Sequence, residues 1–376
     1  MRKSKKHILL YFTFASIAAL IVYNIFGFAI HSSEVISVNP IFILPFALLL
    51  LSIAVMPFLN RAWWDRYYPY VALAFGSIVI VYYFFGLQHA DRIVATSYDY
   101  ICFMSLIGSL YIVSSGIHIN FRGKTTPAGN VALLTTGSVL SNFIGTTGAS
   151  MLLIRPFLRM NRYRIKPYHI VFFIFLVSNI GGAMTPIGNP PLFFGYLKGI
   201  PFFWMADHSA SLWLLSMGIL LTIFFVIDRI AFHKESKTVR SEAAMIDDSE
   251  VHGLHNIIFL LIIVGAVFID SPAPLLLREV IMWGAALASY FTTKPEAHQK
   301  NNFNFIPLKE VAILFAGIFA AMMPALDWLE THAAGMGIVT PGQYYWYSGT
   351  LSSILDNAPT YLNFLTAAFG LHGANV

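Results

Sequence analysis

Residues 130–153 read NVALLTTGSVLSNFIGTTGASMLL, and this stretch decides how the fold is interpreted. It is apolar enough to enter a membrane, but its centre holds the glycine-rich polar sequence GTTG at positions 145–148. Glycine readily ends a helix, and the backbone groups that it frees are costly in lipid unless protein shields them. We therefore predict a hairpin over 130–154 that enters and leaves the membrane on one face.

The rest of the chain is organised as membrane spans. Of its 376 residues, 57% are hydrophobic and 11% are charged, and the mean hydropathy is +0.69. A soluble domain carries about 25% charged residues, so an ordinary soluble globule is excluded, as are a disordered chain and a coiled coil. Because about 20 apolar residues cross the hydrocarbon, nine spans are predicted over 9–30, 40–59, 70–87, 99–118, 168–197, 210–227, 255–269, 273–292 and 307–326.

The positions of lysine and arginine predict the topology, because cytoplasmic loops are enriched in them. With a cytoplasmic N-terminus and a re-entrant 130–154, 20 of the 23 basic residues lie on the cytoplasmic side. The three exceptions are Arg92, Lys198 and Arg278. If 130–154 crossed the membrane fully, the same residues would divide 10 to 13, so the charge distribution favours the hairpin.

A second interrupted segment, 343–371, reads QYYWYSGTLSSILDNAPTYLNFLTAAFGL and enters from the opposite face by the same parity. Two re-entrant segments from opposite faces predict inverted-topology repeats. The basic residues at positions 2–6 precede an apolar run that is too long for a secretory signal. We predict an extra N-terminal transmembrane helix over 1–39, a first repeat over 40–232 with hairpin 130–154 and broken helix 168–198, a cytoplasmic linker over 233–254, and a second repeat over 255–376 that ends soon after hairpin 343–371.

Five polar clusters interrupt the predicted membrane segments and carry the candidate site. Ser, Thr and Asn oxygens beside carbonyls freed at a helix break suit a hard cation such as Na⁺, whereas helix N-termini offer amides to an anion. Helix packing through small residues is the alternative explanation, and five clusters in two sets argue against it. The clusters are Ser141-Asn142, Gly145–Gly148, Ser178–Gly182, Thr185–Pro191 and Ser352–Thr360.

Asp356 is the one acidic residue in these clusters. A carboxylate at the membrane midplane costs about 2.5–3.5 kcal/mol on insertion scales, so its presence favours a bound ion or an exchangeable proton. The alternative is a carboxylate that caps a helix of the hairpin. With one cysteine and no His, Cys, Asp and Glu set at metal spacing, the sequence predicts no transition metal and no cofactor. The basic balance follows from the cytoplasmic loops, so no nucleic-acid partner is expected.

Three ordered motifs resemble the ion transporter superfamily. From Pro40 onward the chain is similar to the bacterial citrate-transporter-like branch, often labelled sodium:proton antiporter and related to arsenite permeases and sodium-coupled dicarboxylate carriers. The resemblance implies a homodimeric secondary transporter, multi-pass in the bacterial inner membrane, with two inverted repeats. The motifs are SNFIGTTGAS at 141–150 with Arg155-Pro156, SNIGG at 178–182 with TPIGNPP at 185–191, and LDNAPT at 355–360.

The residues at matching motif positions are assigned to the site on the basis of this resemblance. The resemblance implies one ion- or substrate-binding site, which includes a Na⁺ site and is built from three segments. Relatives often have Asp where this chain has Asn189, which makes Asp356 more important here. Relatives also continue past the second hairpin with another broken span and a final helix, so the resemblance implies an incomplete second repeat. The residues are Ser141, Asn142, Thr146 and Thr147 at the first hairpin tip, Asn179, Gly181, Thr185 and Asn189 in the unwound fifth span, and Asp356, Asn357 and Thr360 at the second hairpin tip.

These features together predict an ion-coupled secondary transporter that exchanges Na⁺ for H⁺ by alternating access. Sodium-coupled transport of a di- or tricarboxylate such as citrate is the alternative, since neutral Ser, Thr and Asn cages fit either cargo. An intramembrane enzyme would need a nucleophile and base or a metal motif, and the sequence shows neither. The expected partners are Na⁺, H⁺, a small carboxylate, the lipid bilayer and a second copy of the chain.

Overall fold

The computed structural model describes residues 36–120, 126–235, 250–269 and 276–372. The extra helix predicted within 1–39 and most of the predicted linker 233–254 lie outside the described residues, as does the start of the span predicted over 273–292. In the described part of the chain, six helices are long and apolar enough to cross a membrane. The chain is therefore an all-α polytopic membrane protein, as its sequence predicts.

Thirteen α-helices are present in the described ranges. Several begin with proline at the first position, where the missing N–H costs nothing and the fixed φ favours the first turn. The helices are α1 (Leu44–Leu59), α2 (Arg61–Val81), α3 (Ala90–Ser115), α4 (Pro127–Met160), α5 (Pro167–Leu176), α6 (Pro190–Leu197), α7 (Trp204–Lys234), α8 (Asn256–Val267), α9 (Leu277–Thr292), α10 (Pro295–Lys300), α11 (Ile306–His332), α12 (Pro341–Ser352) and α13 (Asn357–His372).

Short elements join some of these helices. A 3₁₀ turn over Pro40–Ile43 leads into α1, a π-helical turn over Tyr82–Leu87 extends α2, and a 3₁₀ turn over Ala333–Met336 follows α11. Strands β1 (His118–Asn120) and β2 (Glu250–His252) pair antiparallel, with His118 opposite His252. The span predicted over 99–118 is one helix, but its bounds need correction, because α3 begins at Ala90 and ends at Ser115.

The chain divides into two compact units, one formed by residues up to Met104 and from Phe305, the other by Ser105–Asn304. In the first unit α11 lies against α2 through small residues. A Cβ atom added at Gly317 would lie 2.5 Å from the carbonyl oxygen of Ala72, so the two backbones approach too closely for a side chain. Close approach of this kind is how transmembrane helices gain packing energy without a hydrophobic driving force.

Asp327 of α11 is a buried carboxylate in the first unit, 5% exposed. It accepts a hydrogen bond from the hydroxyl of Tyr83 at 2.5 Å and pairs with the Arg92 guanidinium at 2.6 Å. This pairing explains why α3 begins earlier than its hydropathy predicts: the charge of Arg92 is neutralised within the fold.

The second hairpin is also part of the first unit. Helices α12 and α13 fold back on each other, so that the rings of Tyr344 and Phe364 lie 6.1 Å apart, centroid to centroid. The end of α13 lies beside the end of α11, because a Cβ atom at Gly370 would be 2.7 Å from the carbonyl oxygen of Glu330. The chain therefore returns along α13 to the end of α11, which is the path of a hairpin.

In the second unit α4 is a hairpin bent at Gly145, where φ is 76° and ψ is 152°. Asn130 and Asn161 stand near its two ends and exchange two side-chain hydrogen bonds of 2.9 Å. A straight helix, at 1.5 Å per residue, would place them about 46 Å apart. The chain therefore reverses its direction within α4, whereas the re-entrant hairpin over 130–154, with entry from one face of a membrane, stays a prediction, as do the inverted repeats.

A buried ionic network ties this hairpin to its neighbours. Asp228 of α7 and Arg164 are almost fully buried and form a two-point ion pair, with Nη2 2.9 Å from Oδ2. The hydroxyl of Tyr168 donates to Oδ1 of Asp228 at 2.8 Å, and the amide of Asn130 donates to Oδ2 at 3.0 Å. The carboxylate is thereby satisfied on both oxygens, which a buried charge requires.

Candidate functional site

The first part of the site is the contact between the hairpin α4 and the gap between α5 and α6. Helix α5 ends at Leu176, so its last carbonyl groups have no partner within the helix. Ser138 donates to the carbonyl oxygen of Leu176 at 3.0 Å, and Ser141 donates to that of Val177 at 2.8 Å. The hydroxyls of the hairpin therefore satisfy the end of the broken helix, as buried polar groups in a membrane segment require.

Asn142 continues this pattern into the unwound segment. Its side-chain amide donates to the carbonyl oxygen of Gly181 at 2.7 Å, and its side-chain oxygen accepts from the N–H of Met184 at 3.0 Å. Its backbone carbonyl accepts from the hydroxyl of Thr185 at 2.6 Å. Asn142 thus holds three points of the unwound segment at once and is 8% exposed.

The hairpin tip and the unwound segment also meet through backbone. The N–H of Thr146 donates to the carbonyl oxygen of Gly188 at 3.0 Å. A Cβ atom at Gly182 would lie 2.5 Å from that same oxygen and 2.6 Å from the methyl carbon of Thr146. At the bend itself, Gly145 adopts a conformation that is essentially restricted to glycine. Gly145 is therefore required by its backbone conformation, and Gly182 is required because no side chain fits between the two segments at that point.

Four of the predicted site residues have polar side-chain atoms without a hydrogen-bond partner among the described residues. Thr147 and Asn179 are exposed, Asn189 is half-buried, and Thr146 is 7% exposed. Asn189 stands at the N-cap of α6 but its side chain makes no capping bond. Unpartnered polar groups within an apolar chain segment are costly in lipid, so we expect them to face a water-filled cavity or a ligand.

Helix N-termini add donors to the same region. The second arm of the hairpin starts at Thr146, and α6 starts at Pro190. The first N–H groups of a helix have no intrahelical acceptor, and the positive end of the dipole favours a bound anion. Pro190 and Pro191 lack N–H groups, so the amides of Thr147 and Gly148 are the stronger donors. The region therefore offers neutral hydroxyls, side-chain amides and backbone N–H groups.

The remaining three predicted site residues lie in the second hairpin, which belongs to the first unit. Asp356 accepts a hydrogen bond from the N–H of Ala358 at 2.9 Å, so its carboxylate caps α13. The hydroxyl of Thr360 donates to the backbone oxygen of Asp356 at 2.8 Å, and Asn357 accepts from the hydroxyl of Ser352. Among the described residues no cation pairs with Asp356, so capping leaves part of this carboxylate available.

The sequence reasoning missed two sets of residues that support the site. Ser138 precedes Ser141 by three positions, which puts both hydroxyls on one helix face, and this spacing is a signal that could have identified it. The pair of Arg164 and Asp228 was missed because Arg164 entered the argument only as a basic loop residue, and Asp228, next to the end of the predicted span 210–227, was not considered. Their 64-residue separation leaves no local signal of pairing.

Comparison with known proteins agrees with the resemblance noted above. Neither the curated proteins nor the solved structures include a significant match. One family model matches residues 35–375, and the description of that family is "Putative citrate transport". Because this match extends over nearly all of the 376 residues, the chain belongs to that family of citrate-transport proteins.

Proposed function

We propose that the chain is an ion-coupled secondary transporter whose cargo is a small di- or tricarboxylate of the citrate type. One observation carries the proposal: the unpartnered polar side chains of Thr146, Thr147, Asn179 and Asn189 stand beside the N-terminus of the second hairpin arm. Hydroxyl, amide and backbone N–H groups are neutral hydrogen-bond donors that can bind a carboxylate without a lysine or arginine. The family description supports the same cargo.

The residues of this region divide into two roles in the proposal. One group donates side-chain hydrogen bonds to the broken helix and so fixes the hairpin in position against it; its members are Ser138, Ser141 and Asn142. Asn179 and Asn189 donate their side-chain N–H groups to the carboxylate, because those donors have no acceptor within the described ranges of the chain. A binding site that is already ordered loses less conformational entropy when the cargo arrives.

Exchange of Na⁺ for H⁺ is the second candidate function, and Asp356 is the observation that favours it. This carboxylate has no cationic partner among the described residues and uses one oxygen to cap α13. A single carboxylate can bind either Na⁺ or H⁺, and the two ions then compete for it. Asp356 is also the natural place for the coupling ion of a carboxylate transporter.

Paired flux assays on the same vesicles separate the two candidates. Labelled citrate and succinate uptake is measured in vesicles that contain the protein, with an inward Na⁺ gradient, with a pH gradient and with neither. Na⁺-driven pH dequenching is recorded in parallel, without carboxylate. Gradient-dependent carboxylate uptake above that of empty vesicles supports the proposal, whereas dequenching without any carboxylate uptake replaces it with Na⁺/H⁺ exchange.

The remaining features of the proposed transporter follow from its sequence. We propose that it lies in a bacterial inner membrane with its N-terminus in the cytoplasm, because this orientation places 20 basic residues on the cytoplasmic side. We also propose a homodimer, on the family resemblance. Cross-linking in native membranes, followed by mass measurement of the purified complex, tests the number of copies.

A further inference from the structure

A cavity of about 600 Å³ lies in the second unit, and none of the predicted site residues lines it. It is bounded by the segment from β2 to the start of α8 and by the segment from the end of α9 through α10. Its lining includes Lys294, Lys300, His252 and His255, together with one acidic residue, Glu296. The cavity is therefore predominantly basic at its walls.

The surroundings of the cavity add further positive charge. The ring of His118 stacks on that of His252 with centroids 6.2 Å apart, and the Lys300 ammonium donates to Nε2 of His252 at 3.2 Å. Burial lowers the pKa of His118, the hydrogen bond that its Nδ1 donates to Oδ1 of Asn301 raises it, and the positive charges of Lys300 and Arg159 lower it further. A histidine in a positive potential resists protonation, so this region favours an anion.

One wall of the cavity continues into apolar surface. Leu254, just before α8, lines the cavity and is 57% exposed, and Ile258, in the first turn of α8, is 61% exposed. Phe291, next to the lining residue Thr292, is 60% exposed. Exposed apolar side chains on membrane helices form the surface that lipid acyl chains cover. Basic groups at the end of two such helices are a common arrangement for binding a lipid headgroup.

We propose that this cavity binds the phosphate headgroup of an anionic phospholipid, with Lys294 and Lys300 as its cationic contacts and the acyl chains along the exposed faces of α8 and α9. Lys294 and Lys300 are among the basic residues that the charge distribution assigns to the cytoplasmic side, so the lipid belongs to the cytoplasmic leaflet. A soluble phosphate ester shares the headgroup chemistry but lacks the acyl contacts. The proposal does not depend on which cargo is transported.

Native mass spectrometry of the purified full chain in detergent tests the site. Phosphatidylglycerol is titrated against the wild type and against the double variant Lys294→Gln/Lys300→Gln. The matched control Lys234→Gln/Lys309→Gln removes the same charge from exposed lysines on the same predicted side, outside the cavity. We expect the cavity variant to bind phosphatidylglycerol roughly tenfold more weakly, and the control to stay within about twofold of the wild type.

Two further titrations identify the source of the phosphate. Phosphatidylcholine, which has no net charge, should bind equally to all three proteins, and glycerol phosphate should compete with phosphatidylglycerol only at concentrations far above those of the lipid. Equal phosphatidylglycerol binding by the cavity variant and the wild type would overturn the site. Saturation by glycerol phosphate at the concentration needed for the lipid would overturn the lipid assignment and leave a soluble phosphate ester as the ligand.

Discussion

At the scale of single residues, the polar side chains around the broken helix separate into those that hold the fold and those that are available to a ligand. Asn142 uses both ends of its side-chain amide within the protein, whereas the side chains of Asn179 and Asn189 have no hydrogen-bond partner among the described residues. Substitution of these asparagines by alanine should therefore affect ligand binding at Asn179 and Asn189 but protein stability at Asn142.

We expect Asn179→Ala and Asn189→Ala to raise the KM for carboxylate uptake roughly tenfold or more, because each removes a donor to a charged ligand. Their melting temperatures should stay close to that of the wild type. Asn142→Ala should instead lower the melting temperature, because it leaves the Gly181 carbonyl and the Met184 N–H buried without partners. Uptake kinetics in vesicles give the KM, and thermal unfolding of the same purified proteins in detergent gives the melting temperature. A stable Asn142→Ala protein with an altered KM would place Asn142 among the ligand-binding residues.

Asp228 offers a second test at this scale, because its charge is buried with that of Arg164. Removing one partner of a buried pair costs about 3–5 kcal/mol, since the other charge remains without compensation. We expect Asp228→Asn to lower the melting temperature by roughly 5–15 °C. Asp65→Asn is the matched control, because its pair with Arg61 is exposed and 3.7 Å long and is expected to contribute little.

The double variant Asp228→Leu/Arg164→Met separates charge from packing. A buried pair can often be replaced by apolar side chains of similar volume at little cost. The double variant should therefore be more stable than Asp228→Asn. If it were less stable, the hydrogen bonds to Tyr168 and Asn130, and not the ionic balance, would be the main contribution of the network.

At the scale of elements, local sequence signals underlie the prediction of the two hairpins and the broken helix. Glycine and proline carry most of that signal: Gly145 marks the bend of α4, and proline opens α5, α6 and α12. Local backbone preferences of this kind act within a few residues, so a single sequence reveals them. The length and apolar character of the spans are equally local.

The partners of each polar group could not be predicted in the same way. The bonds from Ser138 and Ser141 to the end of α5 connect residues 36–38 positions apart, and the Tyr83–Asp327 bond connects residues 244 positions apart. Only the packed fold decides such pairs. For the same reason the sequence identified the polar clusters as a binding site without distinguishing residues that support it from residues that remain available.

Gly145 allows a direct test of the bend in α4. Its φ of 76° and ψ of 152° lie where side chains are excluded, so we expect Gly145→Ala to cost about 1–3 kcal/mol and to lower the melting temperature. Gly218→Ala is the control: this helical glycine has open space around its Cβ position, and alanine should leave stability unchanged or raise it. Equal melting temperatures for the two variants would mean that the hairpin bends differently from the structure.

At the scale of the whole molecule, the charge distribution and the observed chain reversal of α4 lead to the same expected topology. Because the side chains of Asn130 and Asn161 hydrogen-bond to each other, both ends of the hairpin lie side by side and are expected on the same face of the membrane. The positive-inside rule assigns that face to the cytoplasm. Exposed positions near the two ends should therefore have the same accessibility. A full crossing by 130–154 would instead place them on opposite sides.

Cysteine labelling of intact cells tests this expectation in a background where Cys102 is replaced by alanine. Ala128→Cys and Arg162→Cys, both at exposed positions, should resist an impermeant thiol reagent and react after the membrane is permeabilised. Asp207→Cys is the positive control, because the same charge distribution places it on the outer side. Reaction of position 162 alone in intact cells would contradict the hairpin as a re-entrant element. It would also invert every later span, and with it the assignment of the basic cavity to the cytoplasmic leaflet.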